Sequence, residues 1–308
     1  MNGLSGILNI YKEIGGTSHD AVAGVRRILH EKRVGHAGTL DPAAEGVLPI
    51  CVGQATRIVE YLTDTHKIYC ADVILGITTD TYDREGIVTS VRNVPDFGVG
   101  EIETVLQKFR GPIQQVPPIY SAIKVQGQPL YKAARAGRAA EIELKPRPLT
   151  IFDLRITHWE RPWLKLWIEC SKGTYIRSLA FDIGAELGCG AYMQHLLRVQ
   201  SGPFHLAHAL TLASLAQVTE AGRLEEILFP LDTVLGEWPA WIVNAATANY
   251  IKQGRNVQPG PEADWQKWPT PGEIDLQPFR RVYNQAGELL ALLERDGTAW
   301  HPAKVFNE

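Results

Sequence analysis

Apolar positions along the first half of the chain fall into two rhythms. A spacing of three and four puts Val22, Val25, Ile28 and Leu29 on one face of a helix that begins near Thr17, where Thr17 and Asp20 form a capping-box pair. Arg26, Arg27, Lys32 and Arg33 are left for the opposite face and the exit. The same rhythm predicts helices through Ile58, Val59 and Leu62, through Ile102, Val105, Leu106 and Phe109, and through Leu179, Ile183 and Leu187. Between them lie strand-like runs, Gly6 to Tyr11, Tyr69 to Leu75, Ile151 to Thr157 and Leu164 to Cys170. In the last, Leu164, Leu166 and Ile168 alternate with Lys165, Trp167 and Glu169. Strands and helices follow one another without regular βαβ alternation, which predicts an α+β fold around a large, mixed but mostly antiparallel sheet flanked by helices.

The pattern breaks between residues 256 and 278, where Pro259, Pro261, Pro269, Pro271 and Pro278 join Gly260 and Gly272. Such a segment runs through neither a helix nor a central strand. Beyond it, Phe279 to Asn284 and Leu289 to Glu294 flank Gln285-Ala286-Gly287-Glu288 and read as a hairpin. A larger domain over residues 1–240 and a small β-rich appendage over 241–308 follow, and the length of 308 residues suits two units at roughly 150 residues each.

Composition narrows the class. With 45% hydrophobic and 21% charged residues the chain can bury a sizeable core and is neither disordered nor fibrous. Cys51, Cys70, Cys170 and Cys189 have neither C-x-x-C spacing nor nearby histidines, so buried reduced thiols are expected rather than a zinc site or a redox dithiol. No metal site is expected. No basic stretch leads into an apolar run at the first residues, and no stretch approaches the roughly 18 apolar residues of a membrane span, so a soluble cytoplasmic protein is expected. The formal net charge of −3 gives no bulk reason to expect a nucleic-acid partner, whose affinity rests on phosphate neutralisation.

Three local features could carry chemistry. The run from Gly35 to Pro49 is rich in glycine and proline and reads as a loop after a basic helix, with Asp41 on a rigid turn. Asp41-Pro42 on its own is equally a plain turn start. No Gly-Lys-Ser/Thr follows, so the run is not a phosphate loop. Arg177, in Gly173-Thr174-Tyr175-Ile176-Arg177, stands where a strand passes into a helix; there it either pairs and ionises a carboxylate, whose pKa a guanidinium lowers, or sits on the surface in a first helical turn. Tyr69 at a strand start offers a face for stacking a base, or is a half-buried packing residue. Spacing alone does not bring the three together.

Taken as ordered blocks, these residues resemble those of the bacterial tRNA pseudouridine-55 synthases of the TruB family. The blocks are Asn9-Ile10-Tyr11-Lys12 with Gly16-Thr17-Ser18, Val34 to Pro42 with Gly46-Val47-Leu48-Pro49, Ala55-Thr56-Arg57, and Lys67-Ile68-Tyr69. They continue with Leu75-Gly76, Thr79-Asp80-Thr81 and Asp83, Pro118 to Lys124 with Gly127, Leu130-Tyr131 and Ala134-Arg135, and Gly173 to Arg177. The resemblance implies the pseudouridine synthase fold and a cofactor-free isomerisation of uridine-55 in the T-loop of tRNA, with the nucleotide flipped into a pocket. It implies Asp41 as the catalytic carboxylate, Arg177 as its partner, and Tyr69 as the residue that stacks on the base and takes the C5 proton directly or through water. His36 would help hold the T-loop open, and Tyr175 and Leu196 would wall the pocket. Glu13 and Glu45 depart from the family's proline and threonine, and Leu197 interrupts a double arginine that ends in Arg198.

Between Lys124 and Arg147, Lys124, Lys132, Arg135, Arg138, Lys145 and Arg147 face only Glu141 and Glu143. Alone this is a solvated basic face; by the resemblance it is an RNA-binding insertion. The appendage resembles, more loosely, the family's small PUA-like RNA-binding domain. The T-arm of tRNA is the implied partner, and the protein is expected to act as a monomer without membrane attachment. Two rival readings are a tRNA-folding protein with a vestigial site, against which the intact Asp41, Tyr69 and Arg177 set argues, and a hydrolase pairing Asp41 with Asp80 or Asp83. Net acidity concentrates in residues 206–240, with one basic and five acidic side chains, so the overall charge no longer argues against RNA.

Overall fold

A computed structural model describes residues 4–121, 124–125, 128–130, 144–258, 266–267, 278–297 and 299–306. The first half reads β1 (Gly6–Lys12), α1 (Ser18–Leu29), β2 (Val34–His36), β3 (Ala44–Val52), α2 (Val59–Thr63), β4 (Lys67–Leu75), β5 (Ile77–Thr79), β6 (Val88–Val91), α3 (Val99–Gln107) and β7 (Gly111–Gln115). Two-residue strands β8 (Lys124–Val125) and β9 (Gln128–Pro129) precede β10 (Arg147–Glu160), β11 (Trp163–Cys170), α4 (Ile176–Glu186), β12 (Ala191–Ser201), β13 (Phe204–His205) and α5 (Leu212–Glu220). The last part holds β14 (Ala240–Ile242), α6 (Ala245–Lys252), β15 (Gln266–Lys267), β16 (Phe279–Tyr283), β17 (Leu289–Asp296) and β18 (Ala299–Val305).

A nine-stranded sheet in the order β1-β3-β12-β4-β11-β10-β7, with β2 on β3 and β13 on β12, carries the first 205 residues. Its one parallel pairing is β3 with β12, so the sheet is mixed and mostly antiparallel as the pattern predicts. The periodicity of two explains β1 and β3, which look continuously apolar. Leu8, Ile10, Leu48, Ile50 and Val52 face a core shared with α1, α3 and α4, while Ile7, Val47 and Cys51 face a second core with Ile58, Leu62 and Phe204. Helix α1 opens with the predicted reciprocal capping box, Thr17 Oγ1 accepting from the Asp20 amide at 3.1 Å and Asp20 Oδ2 accepting from the Thr17 amide at 2.8 Å.

The structure corrects the sequence in two places. Ala44 to Pro49, read as part of a loop, is the first half of β3, and the loop shrinks to residues 37–43. Pro49 is tolerated inside a central strand because it falls in a gap: β12 pairs with Ala44 to Gly46 and β2 with Ile50 to Val52, so its missing amide faces no ladder partner on that side. The Pro49 carbonyl accepts from Ala37 at 2.9 Å. The second correction is β12 itself, a central strand whose sequence AYMQHLLRVQS does not alternate cleanly, because two bulges shift its register against β4.

The last strands form a five-stranded sheet, β15-β14-β16-β17-β18, around Trp241, Val282, Leu293 and Trp300. Leu292 and Phe306 instead join the second core beside Ile58 and Leu62, and Lys304 meets Glu60 at 3.1 Å, so this sheet is packed onto the α2 side of the larger one. The Gln285–Glu288 turn closes the β16–β17 hairpin as predicted. The four cysteines are free, three of them buried. Among the described residues no helix is long and apolar enough to cross a membrane.

Candidate active site

The loop of residues 37–43 is held at both ends. Ser18, at the first turn of α1, accepts from the Leu40 amide at 2.8 Å and donates to its carbonyl at 3.0 Å. The Lys12 ammonium, 3% exposed, donates to Ala44 O at 2.7 Å and Pro42 O at 3.4 Å, and Gly15 N donates to Pro42 O at 2.9 Å. Buried Arg198 donates from Nη2 to Gly38 O at 3.1 Å and from Nε to Val47 O at 2.7 Å. It reaches them because Gly46, at φ +109°, lets β3 approach β12 so closely that a Cβ there would lie 2.3 Å from the Arg198 carbonyl.

Asp41 is thereby presented to a cavity of about 660 Å3, within the range of small-molecule sites. Arg177 lies at the first turn of α4, only 5% exposed, and is no surface residue. Its Nε meets Asp41 Oδ2 at 2.9 Å, Nη1 meets Asp83 Oδ2 at 3.4 Å, and Nη2 donates to Tyr120 O at 3.0 Å. Asp83, 4% exposed, also accepts from Thr81 Oγ1 at 2.5 Å and from the Glu85 amide at 3.0 Å. One guanidinium therefore serves two carboxylates, one fully buried and one, with 37% of its side chain exposed, facing the cavity. Asp80 stays outside, accepting from the Ile87 amide at 2.8 Å in the β5–β6 turn.

Burial raises the Asp41 carboxyl, and Asp83 adds to the rise. Arg177 and Lys12 pull it down, as the pairing predicts, but by less, so the net shift is above its ordinary value. Burial likewise pushes the Tyr69 phenol up to about 12, opposed by Arg198, so the group is neutral at physiological pH.

The remaining wall comes from β4 and β12. Alternation puts Lys67 and Tyr69 on one face of β4, and the β12 register sets Leu196 beside Ala71 and Arg198 beside Tyr69. Tyr69 is 8% and Leu196 6% exposed, and both line the cavity with Tyr175. Gln115 fixes Tyr175 by accepting from its amide at 2.9 Å and donating to its carbonyl at 3.1 Å. The Lys67 ammonium donates to Thr63 O at 2.6 Å and to Thr65 O, and burial lowers it to about 8. His36 stands one layer back, edge-on to His19 at 5.5 Å; His19 lines the cavity, and burial lowers the His36 imidazole so that its neutral form is favoured. Glu45, at the departure from the family's threonine, is engaged within the protein, accepting from Tyr11 Oη at 2.6 Å and facing His195 Nε2 at 2.9 Å.

The sequence-derived trio thus meets in one cavity with Tyr175 and Leu196. The side chain of Lys124, and all of Lys132 and Arg135, lie outside the described residues. Sequence reasoning passed over Arg198 and Lys12 as site residues and offered Asp83 only to a rival reading. Their signals were present, in the single arginine left from a pair and in the blocks containing Lys12 and Asp83. Among the described residues no group of His, Cys, Asp and Glu could hold a metal ion.

Two family models match in succession: the TruB family pseudouridylate synthase N-terminal domain over residues 26–176 and the tRNA pseudouridylate synthase B C-terminal domain over residues 177–236. The chain is similar to a tRNA pseudouridine synthase B of Dehalococcoides mccartyi strain CBDB1, 44% identical over 306 residues that cover 98% of this chain and 97% of the relative. It is 47% identical over 258 residues to the one of Pseudomonas fluorescens strain Pf0-1, covering 83% and 84%. Among solved structures, a Cbf5-Nop10-Gar1 complex contains a chain that superposes with a TM-score of 0.73 at 26% identity, covering 97% of this chain and 84% of that one.

Proposed function

Because this chain belongs to the TruB family of pseudouridylate synthases, we propose that it isomerises uridine-55 in the T-loop of tRNA to pseudouridine, with Asp41 as the catalytic carboxylate. The observation that carries the residue assignment is the Asp41–Arg177 pair at 2.9 Å, open on one side to a cavity walled by Tyr69, Tyr175 and Leu196.

The reaction breaks the C1′–N1 bond, turns the uracil, and joins C1′ to C5, while the proton on C5 leaves and N1 gains one. No oxidant and no co-substrate enter the balance. A base inside a folded T-loop is out of reach, so the nucleotide is flipped into the cavity. Asp41 faces the sugar there, and an ionised carboxylate serves both a covalent route, by attack on C1′, and a glycal-type route, by stabilising the sugar as the base departs. Arg177 aims it. Its second contact, to Asp83, fixes the guanidinium plane, so that Asp83 acts as a positioning residue.

Tyr69 supplies the face on which uracil stacks, and its phenol, beside Arg198, is the group placed to receive the C5 proton directly or through water. With its pKa pushed up to about 12 the phenol keeps its own proton at neutral pH, so it takes the C5 proton only as its own passes on, through water, to N1, the atom that gains one. The adjacent Arg198 guanidinium stabilises the phenolate character that develops between the two transfers. His19 at the cavity edge, backed by His36, is the wall against which the T-loop opens. The basic segment around Lys124, Lys132 and Arg135 contacts the RNA backbone, and residues 241–308 serve as a small PUA-like RNA-binding domain. The protein acts as a cofactor-free monomer in the cytoplasm.

The test is an unmodified tRNA transcript incubated with the protein and mapped by carbodiimide-dependent primer-extension stops. A new stop at position 55, absent when that position is cytidine, is expected; no stop would overturn the reading. For Tyr69→Phe, filter binding is expected to match wild type while single-turnover conversion slows by about 100-fold, the lower range for a lost acid–base group. Lost binding with normal conversion of the RNA that does bind would reverse the role assigned to Tyr69.

A further inference from the structure

The Asp41 cavity continues past its own edge. A second, open groove of about 670 Å3 is lined by Asp64, His66, Phe152, Ser171, Lys172 and Gly236 among others. Ser171 lines both concavities, and His66 immediately precedes Lys67, which lines the first. The two are one surface, running along the ends of β4 and β11.

Phe152 is the unusual member. Single exposed apolar side chains are ordinary on protein surfaces, but this ring, 57% exposed, stands at a break in the strand register and lines a groove. The β10–β11 register steps from Ile151 opposite Cys170 to Asp153 opposite Glu169, leaving Phe152 as the extra residue of a bulge. Alternation from fully buried Ile151 turns Phe152 outward, and the bulge delays the next inward position to fully buried Leu154, so Phe152 and Asp153 follow one another outside the core. The strand end is fixed by Thr150, whose amide donates to Ser171 Oγ at 2.9 Å and whose carbonyl accepts from the Ser171 amide at 2.9 Å.

Beside Phe152 stands the His66 ring, its side chain 49% exposed, with centroids 6.5 Å apart and planes 79° apart. Two exposed rings at right angles form a corner, with one face to stack on and a second ring for an edge to meet. The groove carries no net positive charge: Lys172 Nζ lies 2.7 Å from Asp64 Oδ2, and Glu237 adds a second carboxylate to the lining. A phosphate would find no net cation to displace counter-ions for it. A flat, neutral, aromatic group fits, and the neighbouring cavity says which.

We propose that this groove is a stacking subsite for an unpaired nucleobase one or two nucleotides from the target uridine, with Phe152 as its platform and His66 as its side wall. The inference rests on the reading of this chain as a T-loop uridine isomerase. A base parked there keeps the loop open while the uridine is turned, so the subsite governs RNA binding more than the chemical step.

The experiment uses T-arm stem-loops, unlabelled for kinetics and carrying 2-aminopurine at each position flanking the target for fluorescence. With wild type, one probe is quenched on binding. Phe152→Ala is expected to abolish that quenching and raise KM about tenfold with kcat within about twofold, the size of one lost base–aromatic stack. Phe152→Trp restores both, and Phe152→Leu, apolar but without a π-face, restores neither. Unchanged KM and quenching in Phe152→Ala, or rescue by leucine equal to tryptophan, would overturn the subsite. Wild-type turnover at saturating RNA keeps the cases apart: if wild type forms no pseudouridine the isomerase reading fails, whereas normal turnover with an unaffected Phe152→Ala removes only the subsite.

Discussion

Asp41→Asn is expected to abolish pseudouridine formation, lowering conversion by ~10^4-fold or more as loss of a residue that acts on the reacting atoms does, while leaving both fold and RNA binding in place. The amide keeps an oxygen toward the Arg177 Nε, which lies 2.9 Å from the carboxylate it replaces, but it has no charge with which to attack or to stabilise the sugar. The effect on stability has a definite sign. The folded protein holds the Asp41 proton more tightly than the unfolded chain does, because burial raises the carboxyl above 3.8. The ionised group therefore costs stability once the pH exceeds the unfolded value, and that cost is in force at neutral pH. Asparagine escapes it, so the variant should melt no lower than wild type at pH 7 and lose any advantage in acid, where wild type is protonated too. Wild-type turnover should fall as the pH drops through a midpoint above the ordinary carboxyl value, since only the ionised form serves. Carbodiimide mapping, thermal melts at both pH values and filter binding check this together. A variant that still modified position 55 would remove Asp41 from the chemistry. One that lost RNA binding as well would deprive the experiment of its meaning for catalysis and point to a binding role.

Replacing Arg177 is expected to damage both the fold and the reaction. Arg177→Met removes the cation from between Asp41 and Asp83, and Asp83 is 4% exposed with no other cation in contact among the described residues. Breaking one partner of a buried ion pair costs about 3–5 kcal/mol, because a charge is left in a poorly solvating interior. A chain of this size loses roughly 2–4 °C in Tm per kcal/mol, so the shift is large. The loss should shrink as the pH falls, since protonation neutralises the Asp41 carboxyl, which burial raises above its ordinary value, whereas a packing defect would persist at every pH. Arg177→Lys is the companion variant. One ammonium cannot hold the forked geometry that reaches Asp41, Asp83 and the Tyr120 carbonyl at once. It should recover most of the stability and little of the turnover. Equal Tm values for wild type and Arg177→Met at neutral pH would show that the pair contributes nothing to the fold.

Much of the architecture is legible in the sequence. The helix at Thr17 declares itself by its capping pair and its stripe, and β11 by alternation, because both signals are periodicities within one element. Strand β12 was not legible, since its bulges break the period of two, and neither was the true extent of the Asp41 loop. Glycine and proline read as loop formers from Gly35 to Pro49. In the fold, Gly46 instead permits the close approach of two strands, and Pro49 occupies a gap between ladders.

What the sequence determined by itself is the cleanly periodic elements, the α+β class, and, through ordered blocks that resemble one family, the choice of Asp41, Tyr69 and Arg177 as candidate site residues. What only the tertiary structure decided is who meets whom and with what charge. The strand register put Arg198 beside Tyr69, the turn after β5 brought Asp83 to the far side of Arg177, and the sheet set Phe152 beside His66. The sign of the Asp41 shift belongs to the same category. A periodicity is a property of neighbours along the chain, whereas the free energy of a charge sums over everything that surrounds it and displaces its water, and those groups come from residues far apart in sequence.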